Sequence, residues 1–496
     1  MSRLVTVSRA AKLVGISRGN LQKQIREGTI TSFEGMVDLE QVAQHYPSVD
    51  FEADALIEKL EQIIENASIR ARSKKTTTPP DVKTLATRVN ILSEELVESK
   101  LEISIFYTIF DKLKTKLKTL ASVEPEAANT IRDLQNWLLM EIDTIADKKF
   151  EQSSILATDT FLRLMAAQVR VKSTGHEFFV EGSDSILESG LGSGLALNYG
   201  CSNGNCGKCR ARVISGEVKK IRNHDYVLNE KEKLQGYILT CSNTAVTDLI
   251  LEADEAGGEH DIPEQSITAW VRKLVSQGEY MSTLHVKTPR TQRLRFLAGQ
   301  YVNLELPGVA SRKLHIASCP CDDMHLQFHI DTRCNDDFTE YVKTRIKAND
   351  VIDIEGPSGH FVLHEDEPNP IVFIAFGLGF APIKSLVEHA MTLDVTENMQ
   401  LYWLVPDEQD LYMHNHCRSW ADAFERFAYH PICFGQEDAV QVLLRTLHES
   451  LANNINDHHF YIAGPDSQVT ETKNALQTQS ISDKSIFCES IFTETA

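Results

Sequence analysis

The chain has 496 residues, 42% hydrophobic and 24% charged, with ten cysteines and a formal net charge of −20. That length exceeds what one hydrophobic core organises, so three to five domains are expected, and the composition excludes a chain disordered throughout. The charge argues against a nucleic-acid surface over the whole chain, but it is uneven: residues 1–26 carry six Lys/Arg and no acid, while residues 361–496 carry six Lys/Arg against twenty Asp/Glu. The longest apolar run, Ile371 to Ile383, is too short to span a bilayer. Met1-Ser2-Arg3-Leu4 opens no signal peptide, so a cytoplasmic protein is expected, and ten cysteines there point to metal binding or catalysis rather than disulfides.

Along the chain, Val7 to Val14 and Ser17 to Arg26 have helical apolar spacing. Gly15 suits the left-handed end of the first helix, and Ser17 can cap the second. Ile30 to Val37 reads as a short hairpin around Glu34-Gly35. The stretch from Ser8 to Leu21, SRAAKLVGISRGNL, resembles the MerR and excisionase type of winged helix-turn-helix, here assigned to residues 1–50. That resemblance implies Arg9, Ser17, Arg18, Asn20 and Lys23 as DNA-contacting candidates. A docking or dimerisation module is the alternative for the same fold.

Residues 51–165 are helical in pattern, broken at Thr76-Thr77-Thr78-Pro79-Pro80. Leu92, Leu96, Ile103, Phe106, Phe110, Leu113, Leu117 and Leu120 recur at three- and four-residue steps, which predicts helix packing or a homodimer through this region.

From Val169 the texture changes to short β-rich runs with many glycines. Cys201, Cys206 and Cys209, followed by Cys241, have the C-x4-C-x2-C spacing of plant-type ligation of a two-iron, two-sulfur cluster. Structural zinc favours two separated CxxC pairs, which this is not. Gly200, Gly204 and Gly207 let a tight loop wrap the cluster with backbone N–H groups aimed at sulfur. Residues 166–258 resemble a plant-type ferredoxin domain, which implies a β-grasp fold. The other six cysteines (319, 321, 334, 417, 433 and 488) show no ligand spacing and are read as idle thiols.

Further on, Ile371 to Phe376 is a buried-strand pattern running into Gly377-Leu378-Gly379 and a helix whose first turn holds Pro382. Such a turn lets a pyrophosphate approach the backbone at a helix N-terminus. Ala298-Gly299-Gln300-Tyr301, Gly356-Pro357-Ser358-Gly359, Gly377-Leu378-Gly379-Phe380-Ala381-Pro382 and Ala463-Gly464-Pro465 together resemble the ferredoxin–NADP reductase superfamily. The resemblance implies an FAD-binding barrel over 259–362 and a Rossmann-like NAD(P)-binding domain over 363–496. Their order after a ferredoxin is similar to that of oxygenase reductases and CDP-6-deoxyglucoseen reductases. For the flavin it implies Tyr301, Arg312, Leu314, His315 and Thr339, and for the nicotinamide Gly377, Gly379, Pro382, Asp407, Gly464 and Pro465. Three departures stand out. Leu314 replaces a flavin-stacking tyrosine, and His315 replaces a hydroxyl residue. Asp336 and Asp337 precede Thr339, the expected helix cap toward the pyrophosphate. After the strand ending at Val405 comes Pro406-Asp407-Glu408, with no cation for a 2′-phosphate, so NADH is favoured over NADPH.

The chain therefore reads as a multidomain α+β and α/β protein: winged helix-turn-helix, helical segment, β-grasp ferredoxin, flavin barrel, nicotinamide domain. The function expected is an NAD(P)H-dependent reductase carrying electrons through FAD and the cluster to an acceptor protein such as an oxygenase or dehydratase. No acid–base or nucleophilic catalytic residue is expected. A redox-sensing DNA-binding regulator with the same cofactors is the alternative.

Overall fold

The computed structural model describes residues 4–46, 80–123 and 162–491 apart from short breaks, and a few positions between 134 and 140. The sequence expectations for 51–77, and the side chains of Ser17, Arg18 and Lys23, lie outside the described residues. Among those described, no helix is long and apolar enough to cross a membrane.

The N-terminal head packs α1 (Val7–Val14) and α2 (Arg18–Arg26) on a sheet ordered β1-β3-β2 from β1 (Leu4–Thr6), β2 (Ser32–Phe33) and β3 (Met36–Asp38). Ala10, Ala11, Leu13, Leu21, Ile30 and Val37 form its small core, joined by Leu162. The long α3 (Val82–Val123) follows. It begins beside the next domain, where Arg88 donates to the backbone oxygens of Leu164, Ala245 and Val246. Its outer face leaves Leu96, Leu101, Phe106, Ile109 and Leu113 exposed.

The second sheet is ordered β5-β4-β10-β6-β8 and is built from β4 (Ala166–Val171), β5 (Glu177–Glu181), β6 (Arg210–Ser215), β8 (Tyr237–Leu239) and β10 (Leu249–Ala253). The pair β7 (Val218–Lys220) and β9 (Asn243–Ala245) flanks it. Helix α4 (Ile186–Gly192), capped by Ser185, and the short α5 (Glu230–Leu234) complete this unit. Ile186, Leu187 and Leu191 of α4 enter the core with Val169, Val171, Phe178 and Leu251.

The third unit is a six-stranded antiparallel sheet, β14-β13-β16-β11-β12-β15. Its strands are β11 (Gln265–Ser276), β12 (Met281–Lys287), β13 (Tyr301–Glu305), β14 (Arg312–His315), β15 (His325–Asp331) and β16 (Val351–Ser358). A bridge between Ile316 and Phe328 joins the two outer strands and nearly closes a barrel. Alternation along β11 sends Ile267, Ala269 and Val271 inward and their neighbours to solvent, as one-sided burial requires. Helix α6 (Asp337–Thr344) covers the barrel with Phe338 and Val342.

The last unit is an all-parallel sheet, β19-β18-β17-β20-β21, made of β17 (Ile371–Phe376), β18 (Met399–Val405), β19 (Phe427–Cys433), β20 (His459–Gly464) and β21 (Ile486–Ser490). Helices α7 (Phe380–Leu393) and α8 (His414–Ala423) line one face, α9 (Ala439–Leu451) and α10 (Asp466–Thr478) the other. All six residues of β17 are buried because helices cover both faces of that central strand. The strand order reverses between β18 and β20 on either side of β17, which places a ligand crevice at the carboxyl end of β17.

Candidate functional site

Cys201, Cys206 and Cys209 come from the single loop between α4 and β6, and Cys241 lies in a turn directly after β8. The structure brings all four together. The Cys201 sulfur accepts the backbone N–H of Asn205 and of Cys206, each at 3.2 Å, and the Cys206 sulfur accepts that of Cys201 at 3.3 Å. Cys209 donates to the Cys241 sulfur at 3.2 Å. That hydrogen bond, with help from Ser242, the Gly204 N–H and Arg222, lowers the Cys241 thiol pKa, while that of the donor Cys209 is raised in turn. Burial would raise the Cys201 thiol, but the N–H groups of Asn203, Cys206 and Asn205 outweigh it and lower it. Such a nest of donors stabilises sulfur as thiolate, the form a metal cluster requires.

The loop geometry explains its glycines where space is short. A Cβ on Gly200 would lie 3.0 Å from the Cys206 sulfur, and Gly204 and Gly207 have φ of 89° and 76°. Ser202 is held at φ 51°, and its buried hydroxyl has no protein partner. Arg222 Nη1 donates to the carbonyl oxygens of Ser202 (2.6 Å) and Cys241 (3.1 Å), tying the loop to the strand that returns the fourth cysteine. Four sulfurs, converging N–H donors and a bare glycine wall fit a two-iron, two-sulfur cluster. Arg222 escaped notice in the sequence because nothing in its spacing links it to the cysteines.

On the barrel, Tyr301 and His315 are paired across β13 and β14 with their rings 5.6 Å apart. Lys313 lies over the Tyr301 ring at 3.7 Å. Arg312 Nη1 donates to Thr339 Oγ1 at 3.0 Å, and its other arm is paired with Asp336. The expected cap is corrected here. Asp336, not Thr339, is the N-cap of α6, accepting the Thr339 N–H at 2.7 Å, while Thr339 sits three residues into the helix and is fully buried. Asp336 would repel a pyrophosphate less than a free carboxylate, since it is already bonded to the helix N–H and to Arg312. Leu314 points into the barrel core with Val302 and Phe338, away from the face that carries Tyr301, Lys313 and His315.

A residue that sequence spacing could not reveal joins this face. Glu489 of β21 accepts from Lys313 at 3.0 Å and pairs with His315 Nε2 at 2.9 Å, across 174 positions of chain. Burial pulls the His315 pKa below its ordinary value despite the carboxylate, so the imidazole is neutral near pH 7. Tyr301, Lys313 and His315 thus share one polar face beside Glu489 of the nicotinamide domain, while Arg312, on the Leu314 side of β14, meets the start of α6 at Asp336 and Thr339.

At the end of β17, Gly377 turns the chain at φ 52°, and α7 begins three residues later with Pro382 inside its first turn. The Trp403 indole N–H donates to the Gly377 carbonyl at 3.1 Å, and the ring stacks on Phe380 at 3.9 Å. A Cβ on Gly379 would lie 2.0 Å from the Ala463 carbonyl oxygen, and one on Gly464 would lie 2.6 Å from Phe376 Cβ. Gly379 therefore packs on the Ala463–Gly464 backbone, and Gly464 on Phe376, at the carboxyl ends of β17 and β20, a place for a pyrophosphate against a helix N-terminus. Asp407 is exposed just past β18. The sequence reading missed Arg333, which reaches Asp410 in that turn at 3.4 Å but is held chiefly by Asp331.

Arg9, expected to face DNA, instead pairs with Asp248 of the second unit at 2.9 Å and is nearly buried. Gln168 donates to Thr6 at 2.7 Å in the same contact. Arg9 is drawn there because an adjacent carboxylate on the neighbouring unit offers it a partly desolvated partner. Asn20 is exposed on α2. Two of the six cysteines read as idle are also corrected: Cys319 and Cys321 are linked by a disulfide.

Residues 169–246 match the 2Fe-2S iron-sulfur cluster binding domain, 270–363 the oxidoreductase FAD-binding domain, and 373–473 the oxidoreductase NAD-binding domain. The chain is 28% identical over 328 residues to the CDP-6-deoxy-L-threo-D-glycero-4-hexulose-3-dehydrase reductase of Yersinia pseudotuberculosis serotype I (strain IP32953), covering 66% of this chain and 98% of that protein. It is 30% identical over 277 residues to protein RfbI of Salmonella typhimurium (strain LT2), covering 55% of this chain and 80% of that protein. The reductase component DmpP of phenol 2-monooxygenase from Pseudomonas sp. (strain CF600) is 25% identical, with 66% of this chain and 95% of that protein covered.

Proposed function

Because the chain belongs to the family of reductases that join a 2Fe-2S ferredoxin domain to FAD- and NAD-binding domains, we propose specific roles for the residues described above in its electron transfer from NADH to an acceptor protein. When bound, the nicotinamide would supply a hydride, the flavin would convert that electron pair to single electrons, and the cluster would pass single electrons to the acceptor. Cys201, Cys206, Cys209 and Cys241 hold the cluster, and the N–H groups around them offset its negative charge. Arg312, steadied by Thr339 and Asp336, would hold the flavin phosphates, Tyr301 would pack against the flavin, and His315, kept neutral by burial and giving its one N–H to Glu489, would offer Nδ1 as an acceptor toward it. Gly377, Gly379, Pro382, Gly464 and Pro465 would shape the nicotinamide crevice: Gly379 and Gly464 let the ends of β17 and β20 and the start of α7 close on one another, and Gly377 leaves open backbone for a pyrophosphate.

Asp407 favours NADH by accepting from a ribose hydroxyl and repelling a 2′-phosphate; Arg333 does not reverse this, since Asp331 and Asp410 neutralise it. The acceptor is a dehydratase or oxygenase protein of the kinds served by the named relatives. The observation that carries the reading is the convergence of four cysteines beneath backbone donors, in a chain whose next two domains match FAD- and NAD-binding models. Purified protein with its cofactors restored is titrated with NADH without oxygen, with and without a dehydratase or oxygenase protein encoded beside it. NADH oxidation that accelerates with the acceptor supports the reading, and a protein that NADH never bleaches rejects it.

A second reading draws on the head. Two helices on a three-stranded sheet suit a winged helix-turn-helix, and the Arg9–Asp248 pair seats it on the ferredoxin unit, where a change at the cluster would reach it. In that reading Asn20, with Ser17, Arg18 and Lys23, faces DNA, and the α3 region pairs two copies. Failure of the protein to shift DNA from upstream of its own gene at low salt rejects it.

A further inference from the structure

The seven residues from Ala317 to Asp323 hold both of the barrel's inner attachments. On one side, buried Lys384 and Ser385 of α7 donate to the carbonyl oxygens of Ala317 (2.9 Å) and Ser318 (2.7 Å), fastening the nicotinamide domain. On the other, Asp323 is bonded to Tyr199 and to Arg293, and Arg293 also reaches Glu188 of α4, fastening the ferredoxin unit. Between the two lie Cys319, Pro320 and Cys321, in a tight turn where the Asp322 N–H returns to the Cys319 carbonyl.

The two cysteines are joined as a disulfide, and neither is fully buried. Both sulfurs face α7: Cys319 Sγ lies 3.7 Å from His389 Nδ1, and Cys321 Sγ lies 3.5 Å from Thr392 Oγ1. The two sulfurs and the His389 nitrogen all fall within 4.8 Å of one another. A partly exposed disulfide, with an imidazole beside one sulfur, has the arrangement that thiol exchange uses, since the imidazole can pass a proton to the departing thiolate. None of these residues takes part in the reductase machinery described above.

We propose that Cys319–Pro320–Cys321 is a thiol–disulfide exchange site for a low-molecular-weight thiol of the glutathione class, and that its state sets how firmly segment 317–323 holds the two flanking domains. The thiolate of the small thiol attacks Cys321 Sγ, a new S–S bond forms there, and the Cys319–Cys321 bond breaks with its electron pair on Cys319 Sγ beside His389, which supplies the proton. The thiolate of a second small thiol attacks the small-thiol sulfur of the mixed disulfide, that S–S bond breaks with its electron pair on Cys321 Sγ, and Cys321 takes up a proton, the two protons consumed matching those the two small thiols released. The net change is one protein disulfide and two small thiols becoming a protein dithiol and one small disulfide, a two-electron exchange that runs backward when the oxidised small disulfide is in excess. Opening the Cys-Pro-Cys ring frees the turn that both domain contacts share.

The test is made on the full holoprotein, without oxygen and without NADH, so that it stands apart from the reductase reading. The protein is equilibrated with reduced and oxidised glutathione at graded ratios and alkylated, and the peptide holding both cysteines is weighed. The proposal expects a reversible change between no adduct and two adducts across the series, and a glutathione adduct trapped on Cys321 in Cys319→Ser. It also expects faster backbone hydrogen exchange over residues 317–323 in the reduced protein than in the oxidised one. Two adducts at every ratio, or no adduct even in excess reduced glutathione, overturns the exchange site. Reduction by a thioredoxin-class dithiol but not by glutathione overturns the small-thiol assignment. Identical hydrogen exchange in the two states overturns the effect on docking.

Discussion

Replacing Arg293 with methionine tests how the ferredoxin unit is fastened to the barrel. The Arg293 side chain is 6% exposed and stands between Asp323, also 6% exposed, and Glu188 at 26%. Burial pushes the Asp323 carboxyl up to about 6 even though Arg293 and Tyr199 pull it down. Removing the guanidinium leaves Asp323 buried and uncompensated, a loss of about 3–5 kcal/mol for a pair of this kind. Glu188 keeps some water, so about 3 kcal/mol is the better figure, roughly a hundredfold in the opening equilibrium of the interface. Native-state hydrogen exchange reads that equilibrium directly, as faster exchange of interface amides with the rest of each domain unchanged. The double variant Arg293→Met with Asp323→Asn removes both charges and keeps an acceptor for Tyr199, so it should regain most of the protection. Single and double variants with equal protection, or a single variant like wild type, would refute the reasoning.

Gly379→Ala places a methyl 2.0 Å from a backbone oxygen; it should weaken nicotinamide binding and cost about 1–3 kcal/mol, read by thermal unfolding and an NADH titration. Asp407→Arg should raise kcat/KM for NADPH about tenfold while lowering that for NADH, and equal values for both enzymes would remove Asp407 from the specificity argument. Burial would raise the Glu388 carboxyl, but Lys384 at 2.9 Å and His416 outweigh it and hold it at about 2. A depressed carboxylate stabilises the fold above its unfolded value near 4.5 and loses that contribution as pH falls toward 2. Acid unfolding followed by tryptophan fluorescence should therefore be less steep between pH 4.5 and 2 in Glu388→Gln, and an unchanged slope would contradict it.

The cluster site was legible in the sequence because three of its four cysteines lie within nine residues of one loop, where spacing alone limits the chemistry. The nicotinamide turn was legible for the same reason: a buried strand, two glycines and a proline are consecutive. Glu489 was not, because its contact with His315 depends on how the last strand of one domain meets the barrel of another. Arg293, Tyr199 and Asp323 were hidden in the same way, as charges that acquire partners only once two domains dock. Arg9 was misread because a cation in a basic head fits a phosphate or a neighbouring carboxylate equally well, and only the packing decides. Cys319 and Cys321 were passed over because C-x-C carries no metal-ligand spacing.

The central claim, that electrons from NADH reach the Cys201–Cys241 site through the flavin domain, is tested most directly by electron paramagnetic resonance. Holoprotein mixed with excess NADH without oxygen should give the signal of a reduced two-iron, two-sulfur cluster, with about one and a half NADH consumed per chain. Cys206→Ser should lose that signal while its flavin absorbance still bleaches. A wild-type cluster that stays oxidised under NADH, and is reduced only by dithionite, would contradict the account.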